Sequence, residues 1–275
     1  MSIKVGYQGV NGTFSEIAVN NYFKGKDFEG VNYTNFINIV KDVEDGIIDY
    51  ALLPVENTTT GIISRTYDLF KDYDIFAIGE INVLIEENLI VIKDTKLSDI
   101  KEVYSHPEVI GQCSQFFSNN PHLKAISYQD TAKSVEYIKK ENDKSKAALA
   151  SYLAAKYYGL DILLKNVQDN KNNMTRFLCV SKNKDVSEDA DKISTMFVIK
   201  HEPGSLFRLL EIFAKNGINL LKLESRPIQG KLFEYCFYLD FDGNINDPKI
   251  IETLKQAEKT ANYYKVLGCY KRGSL

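Results

Sequence analysis

Asn172-Asn173-Met174-Thr175-Arg176-Phe177-Leu178-Cys179-Val180 stands at the junction of two differently patterned parts of the chain. Its second half is an apolar strand. At the mouth of that strand come a hydroxyl, a guanidinium and an aromatic ring in consecutive positions. This triplet offers a hydrogen-bond donor, a fork matched to a carboxylate and an apolar wall. A bland reading, a strand start with an exposed arginine, fits the same residues, so the surrounding pattern has to decide.

Upstream, strands and helices alternate. Residues 3–7 form a short apolar strand, followed by a helix over 13–23 capped by Gly12 or Thr13. Phe36, Ile39, Val40 and Val43 stand at i, i+3, i+4, i+7 and predict a second helix. Residues 50–55 read as a buried strand running into a polar loop, with a helix at 62–70. Two β-like runs fill 75–92, parted near Glu86-Glu87-Asn88. Strands at 102–104, 123–127 and 147–150 then alternate with helices at 107–117, 131–140 and 152–158. The alternation predicts an α/β fold with a mainly parallel sheet covered on both faces. Ligands of such sheets collect at the carboxyl ends of the strands.

Downstream, residues 182–192 are charged and nearly free of large apolar groups, as a domain linker would be. A strand at 194–200 ends at His201-Glu202-Pro203-Gly204. The next helix carries Leu206, Leu209, Leu210 and Phe213 on one face and closes at Asn216-Gly217. Strands at 220–227 and 232–241 flank a turn at Gln229-Gly230. Pro248 opens a helix with Ile250, Leu254, Ala257 and Ala261 inward, and a last strand runs over 263–270. The order βαββαβ is the ferredoxin-like module.

Composition narrows the function classes. Apolar residues make up 44% and charged residues 26%, as in ordinary soluble domains, and the net charge of −3 gives no reason to expect a nucleic-acid partner. No apolar run is long enough to span a bilayer, and the first residues lack a signal-peptide core, so no membrane association and a cytoplasmic location are expected. Cys113, Cys179, Cys236 and Cys269 form no CxxC pair and read as small core residues. None of His106, His122 and His201 has a ligand partner at i+3 or i+4, so no metal site is predicted.

Four further motifs sit at strand ends. Gly6, Gly9 and Gly12 are spaced G-x-x-G-x-x-G, not as a dinucleotide fingerprint, so no nucleotide cofactor is expected. The stretch serves equally as a ligand cradle or as a tight turn with a cap. Pro54-Val55-Glu56-Asn57-Thr58-Thr59-Thr60-Gly61 is dense in hydrogen-bonding groups. Ser105-His106-Pro107 leads into a helix that carries Gln112-Cys113. Asp130-Thr131-Ala132-Lys133-Ser134 reads first as a helix cap and, more sharply, as a ligand contact.

In this order the motifs resemble those of the prephenate dehydratase family: G-x-x-G-T-F-S at 9–15, P-[IV]-E-N at 54–57, S-H-P at 105–107, D-T-A at 130–132 and T-R-F at 175–177. The C-terminal part looks like that family's ACT domain, with P-G-x-L at 203–206 and E-S-R-P at 224–227. The resemblance covers nearly the whole chain. It departs at Val10, where proline is usual, at Thr58, where serine is usual, and at Ser205, where alanine is usual.

The resemblance implies a catalytic domain over 1–183, two-lobed and periplasmic-binding-protein-like, and an ACT regulatory domain over 193–275. It implies decarboxylating dehydration of prephenate to phenylpyruvate for phenylalanine biosynthesis. Aromatisation drives that reaction, so no cofactor is called for. Thr175 would assist the departing hydroxyl, Arg176 grip a carboxylate and Phe177 wall the ring. Thr13, Asn57, Thr58, Ser105, Gln112, Thr131 and Ser134 would provide neutral hydrogen bonds. Gly204, Ser205, Leu206, Asn216, Glu224 and Ser225 would bind L-phenylalanine as an allosteric inhibitor in a homodimer or homotetramer. The rival expectations are an arogenate dehydratase, a two-lobed solute-binding protein and a non-catalytic amino-acid sensor.

Overall fold

A computed structural model describes residues 2–228 and 234–273. In chain order the elements are β1 (Ile3–Gln8), α1 (Phe14–Tyr22), β2 (Phe28–Tyr33), α2 (Phe36–Glu44), β3 (Tyr50–Asn57), β4 (Gly61–Ile62), α3 (Ser64–Asp72), β5 (Phe76–Leu84) and β6 (Asn88–Val91). There follow β7 (Glu102–Ser105), α4 (Pro107–Gln112), α5 (Ser114–Asn119), β8 (Lys124–Ser127), α6 (Thr131–Glu141), β9 (Lys146–Ala150), α7 (Tyr152–Tyr158), β10 (Asp161–Leu164) and β11 (Met174–Ser181). The last are β12 (Lys192–Ile199), α8 (Ser205–Lys215), β13 (Leu220–Pro227), β14 (Tyr235–Asp242), α9 (Pro248–Glu258) and β15 (Ala261–Tyr270). None of the described helices is long and apolar enough to cross a membrane.

The chain folds as two compact units, residues 1–69 with 81–177 and residues 70–80 with 178–275. It passes from one to the other within α3, within β5 and again within β11.

The first unit is two lobes, each built on its own sheet. In one, β11, β3, β1 and β2 lie side by side, and β1 runs parallel to β2 and β3. In the other the order is β10-β6-β9-β7-β8. Strand periodicity sorts this second sheet's side chains onto two faces. Leu89, Val91, Val103, Ala147 and Leu149 pack with Val109, Cys113 and Phe116 of α4 and α5. The alternate residues Ile90, Tyr104, Ala148 and Ala150 pack with Val135 and Ile138 of α6 and Ala154 of α7. The sheet is thus covered on both sides, which is why its strands read as nearly continuous apolar runs.

The second unit is βαββαβ. Strands β13, β14, β12 and β15 form an antiparallel sheet, and β15 also pairs in parallel with β5 at Gly268 and Ala77. Leu209 and Phe213 of α8 and Ile250 and Leu254 of α9 bury against Ile193, Phe197, Leu239 and Phe241. Lys192 is enclosed in this unit but ion-paired, 2.7 Å from Glu80 and 3.9 Å from Asp240.

Several sequence expectations shift. The second lobe's sheet is mixed, because β6 runs antiparallel to β9 and β10. The single helix expected over 107–117 is two, α4 and α5, broken at Cys113. Ala261 belongs to β15, since α9 ends at Glu258. Edge strands β2 and β10 are short, contain no fully buried residue and have no counterpart in the sequence reading. The expected turn at Gln229-Gly230 lies outside the described residues.

Glycine spacing in the first motif has a packing cause. Gly12 holds φ +92°, and a Cβ there would come 2.6 Å from Ala154 Cα on α7. Its carbonyl accepts from Ser151 Oγ at 2.5 Å. The turn that opens α1 is therefore clamped onto the other lobe. Gly12→Ala adds both a steric clash and a left-handed backbone cost, so it should destabilise the protein by about 1–3 kcal/mol. A urea denaturation series would read this as a lowered midpoint at unchanged slope.

Candidate active site

The motifs at 54–57 and 175–177 meet on the neighbouring strands β3 and β11, and they meet residue by residue. Successive side chains of a strand point to opposite faces. On one face Arg176 pairs with Glu56 at 2.9 Å and donates to the Tyr67 hydroxyl at 3.1 Å. On the other, Asn57 Nδ2 donates to Thr175 Oγ1 at 3.0 Å and to Asn173 Oδ1 at 2.8 Å.

The orientation of the Asn57 amide follows from its other end. Its Oδ1 accepts the backbone N–H groups of Thr59 and Thr60 at 2.9 and 3.0 Å, so the NH2 group must face Asn173 and Thr175. With its oxygen already accepting from Asn57, the Thr175 hydroxyl keeps its own proton for a partner in the cleft. The network extends through Asn173 Nδ2, which donates to Gln112 Oε1 at 3.1 Å.

These groups open on a cavity of about 630 Å³ within the first unit. Its size lies in the range of small-molecule sites. First-turn residues of five helices line it: Phe14 of α1, Phe36 of α2, Ser64 and Arg65 of α3, Glu108 and Val109 of α4, and Thr131 of α6. Helix N-termini carry the positive end of the backbone dipole and favour an anion; of the carboxylates that also line the cavity, Asp130 is engaged in capping α6 and Glu108 lies in the first turn of α4. Arg65 adds a positive charge, and among the described residues no ion pair or hydrogen bond occupies its guanidinium. Phe14, Phe36, Ile85 and Val109 supply apolar wall.

Of the residues expected from sequence, Asn57, Gln112, Thr131 and Thr175 line this cavity. The others have local duties. Thr13 caps α1 by accepting from Glu16 N at 3.4 Å. Thr58 is exposed and its hydroxyl accepts from Met174 N at 2.9 Å, pinning β11. Ser105 donates to Leu149 O, and Ser134 to Asp130 O, both at 2.8 Å. Phe177 is buried in the core and Arg176 faces Glu56.

Sequence reading missed Arg65 and Glu87. Glu87 is fully buried, lines the cavity, and among the described residues neither carboxylate oxygen has a hydrogen-bond partner. Desolvation lifts its pKa from the ordinary 4.5 to about 8. The one available signal was a pair of carboxylates, Glu86-Glu87, between two apolar strands, where a turn would normally be exposed.

In the second unit a smaller cavity of about 120 Å³ is lined by His201, Glu202, Ser205, Leu206, Tyr235 and Phe237, among others. Gly204 precedes α8 with φ +80°. Ser205 Oγ accepts from Arg208 Nη2 at 2.9 Å. Asn216 lies at the far end of the same helix, bonded to Ile212 O. Glu224 and Ser225 lie on β13 opposite Tyr238 and Phe237 and do not line this cavity.

The sequence model of the prephenate dehydratase family matches residues 5–185, and that of the ACT domain matches 194–259. The chain is 36% identical over 274 residues to a bifunctional chorismate mutase/prephenate dehydratase of Aquifex aeolicus, covering 99% of this chain and 75% of that protein. It is 34% identical to arogenate dehydratase/prephenate dehydratase 1 of Arabidopsis thaliana, covering 98% and 72%. The fold matches the crystal structure of an Arthrobacter aurescens prephenate dehydratase in complex with L-Phe, with TM-score 0.90, 29% identity, and 98% and 90% of the two chains covered. It also matches GqqA, described as a novel type of quorum quenching acylase, with TM-score 0.89 and 26% identity over 98% of each chain.

The buried carboxyl makes a prediction about stability. Folded, Glu87 keeps its proton up to about pH 8; unfolded, it releases it near 4.5. The unfolded state therefore binds fewer protons between those values, and this group's contribution to stability falls as pH rises across that window. Glu87→Gln removes the slope. Thermal melts at pH 5 and pH 8 should show the variant gaining on wild type at the higher pH.

Proposed function

The chain belongs to the prephenate dehydratase family and carries an ACT domain, and we infer that it converts prephenate to phenylpyruvate, carbon dioxide and water in L-phenylalanine biosynthesis. One observation carries the reading: Asn57 orients the Thr175 hydroxyl into an anion-favouring cavity that also holds Arg65. Prephenate brings two carboxylates and a ring hydroxyl, and the cavity offers a partner for each kind of group.

The two carboxylates need opposite treatment. The one on the pyruvyl side chain survives the reaction, so Arg65 binds it as a charge-assisted pair. The ring carboxylate departs as CO2 and its charge disperses; a tight ion pair would stabilise the ground state and oppose the reaction. It belongs against neutral donors such as Gln112 and Thr131 and the apolar wall. Thr175 hydrogen-bonds the leaving oxygen. Arg176 and Phe177 act by position, one locking β11 to β3 through Glu56 and the other anchoring it in the core.

We assign catalysis to residues 1–183 and regulation to 193–275. In that regulatory part we propose L-phenylalanine as the inhibitor, at the start of α8 beside Gly204, Ser205 and Leu206, in a homodimer or homotetramer in the cytoplasm. The structural relative bound to L-Phe supports this. The Arabidopsis relative, named for both substrates, supports arogenate as a second substrate to be tried.

Purified protein given prephenate should form phenylpyruvate, followed by its absorbance, and L-phenylalanine should suppress the rate. No turnover of prephenate or arogenate would sink the assignment. Thr175→Val should lower kcat by about 10²-fold or more in a folded protein. Arg65→Met should cost about ten- to a hundredfold in kcat/KM, chiefly through KM. Gly204→Val, strained at positive φ, should lose phenylalanine inhibition while uninhibited kcat stays within about twofold.

A further inference from the structure

Dehydration of prephenate consumes a proton. The dianion plus one proton gives the phenylpyruvate monoanion, CO2 and water. A threonine hydroxyl orients the leaving oxygen but is far too weak an acid to supply that proton itself. Some group at the cavity has to arrive protonated.

Glu87 meets the requirement by its surroundings. It follows β5 and precedes β6, and its backbone is held on both sides by the segment before β11. Glu87 N donates to Gln168 Oε1 at 3.0 Å, and Glu87 O accepts from Val167 N at 2.8 Å. Ile85, two residues earlier, donates to Asn173 O at 2.8 Å, and Thr175 lies two residues beyond Asn173. The two backbone segments thus run side by side into one cavity, and both Glu87 and Thr175 line it. With its backbone fixed, the carboxyl still has no protein partner for either oxygen. A buried polar group with no partner costs stability, and an apolar side chain in its place would not. Such a cost is expected where the group has work to do on a ligand.

We propose that Glu87 is the general acid of the reaction: its carboxyl O–H gives its proton to the ring oxygen as that oxygen leaves. The proposal rests on the prephenate dehydratase reading and completes it. The bond between the ring and its carboxylate breaks to release CO2. That electron pair enters the ring, which becomes aromatic as the C–O bond breaks. The oxygen departs with the C–O pair, takes the Glu87 proton and leaves as water. Glu87 remains as a carboxylate, which its dry surroundings drive to recover a proton from solvent once the cavity opens.

Neighbouring ionisable groups leave that cycle intact. Cys113 packs close by; its thiol is pushed up by burial first and by Glu87 next, so it stays neutral. Asp169 and Lys171, on the segment before β11, also act on Cys113 with opposite signs. Across the cavity stand Arg65, His106, Glu108 and Asp130, the last engaged in capping α6.

The test is kcat against pH, from 6 to 10, for wild type and Glu87→Gln. Wild-type kcat/KM should be level at low pH and fall about tenfold per pH unit from about pH 8 upward, where Glu87 ionises in the free protein, and kcat should show the same limb. Bound dianionic substrate moves that limb up, not down. Glu87→Gln, which keeps shape but donates no acidic proton, should lose about 10²–10⁴ in kcat and lose the limb, with KM little changed. A Gln variant that keeps kcat within threefold overturns the proposal while leaving the family reading intact, whereas wild type inert towards prephenate and arogenate overturns the family reading itself. If the variant does not fold, the wild-type profile decides: a flat line to pH 10 rules the acid role out, and a falling limb supports it. A group with only a structural part would move the melting temperature without touching the profile.

Discussion

The candidate-site cavity depends on one buried amide. Asn57 sits at the end of β3, gathers the N–H groups of Thr59 and Thr60 on its oxygen, and spends both amide protons on Asn173 and Thr175. Residues more than a hundred positions apart are thereby fixed to within hydrogen-bond tolerance. Every polar atom of the side chain is used, so no alternative rotamer satisfies it equally well, and a half-satisfied buried network would be worse than none. Position 57 therefore tolerates little. Aspartate keeps the acceptor but loses the donors, and leucine loses both.

The same strand pair shows how charge is arranged. Glu56 and Arg176 neutralise each other on the outer face of β3 and β11. This leaves the inner face to neutral donors, and the cavity draws its positive character from Arg65 and from helix N-termini. In the function proposed above, such an arrangement attracts a dianion without gripping the carboxylate that has to leave. The principal buried ion pair of the second unit, Lys192 with Glu80, lies outside the cavity lining.

Much of this was legible in the residues, and what was not has physical causes. The βαββαβ module could be read because its helices are strongly amphipathic, with Leu209, Phe213, Ile250 and Leu254 on their inner faces. Thr175 and Asn57, singled out by motifs in a set order, both line the cavity. Hydroxyls were over-assigned: Thr13, Ser105 and Ser134 looked available, yet each is committed to a cap or a carbonyl within its own lobe. Whether a serine caps or binds depends on what the fold brings near it, and spacing does not record that. Arg176 reads as a carboxylate partner because it adjoins Thr175, but neighbours along a strand point to opposite faces, and the arginine that lines the cavity is Arg65. Glu87 escaped notice because its burial comes from Val167 and Gln168, far along the chain.

Division of the chain inside β5 has a consequence for how this protein is made. Residues 70–80 emerge from the ribosome early but belong with residues 178–275, and Ala77 pairs with Gly268, almost the last strand residue to be synthesised. Phe76, core in the finished fold, must wait through nearly the whole of translation for the neighbours that cover it. The segment that matches the prephenate dehydratase family thus cannot be cut out cleanly at a single peptide bond. Any fragment ending near residue 185 carries an orphaned apolar segment, and its solubility will be governed by that segment rather than by the cleft.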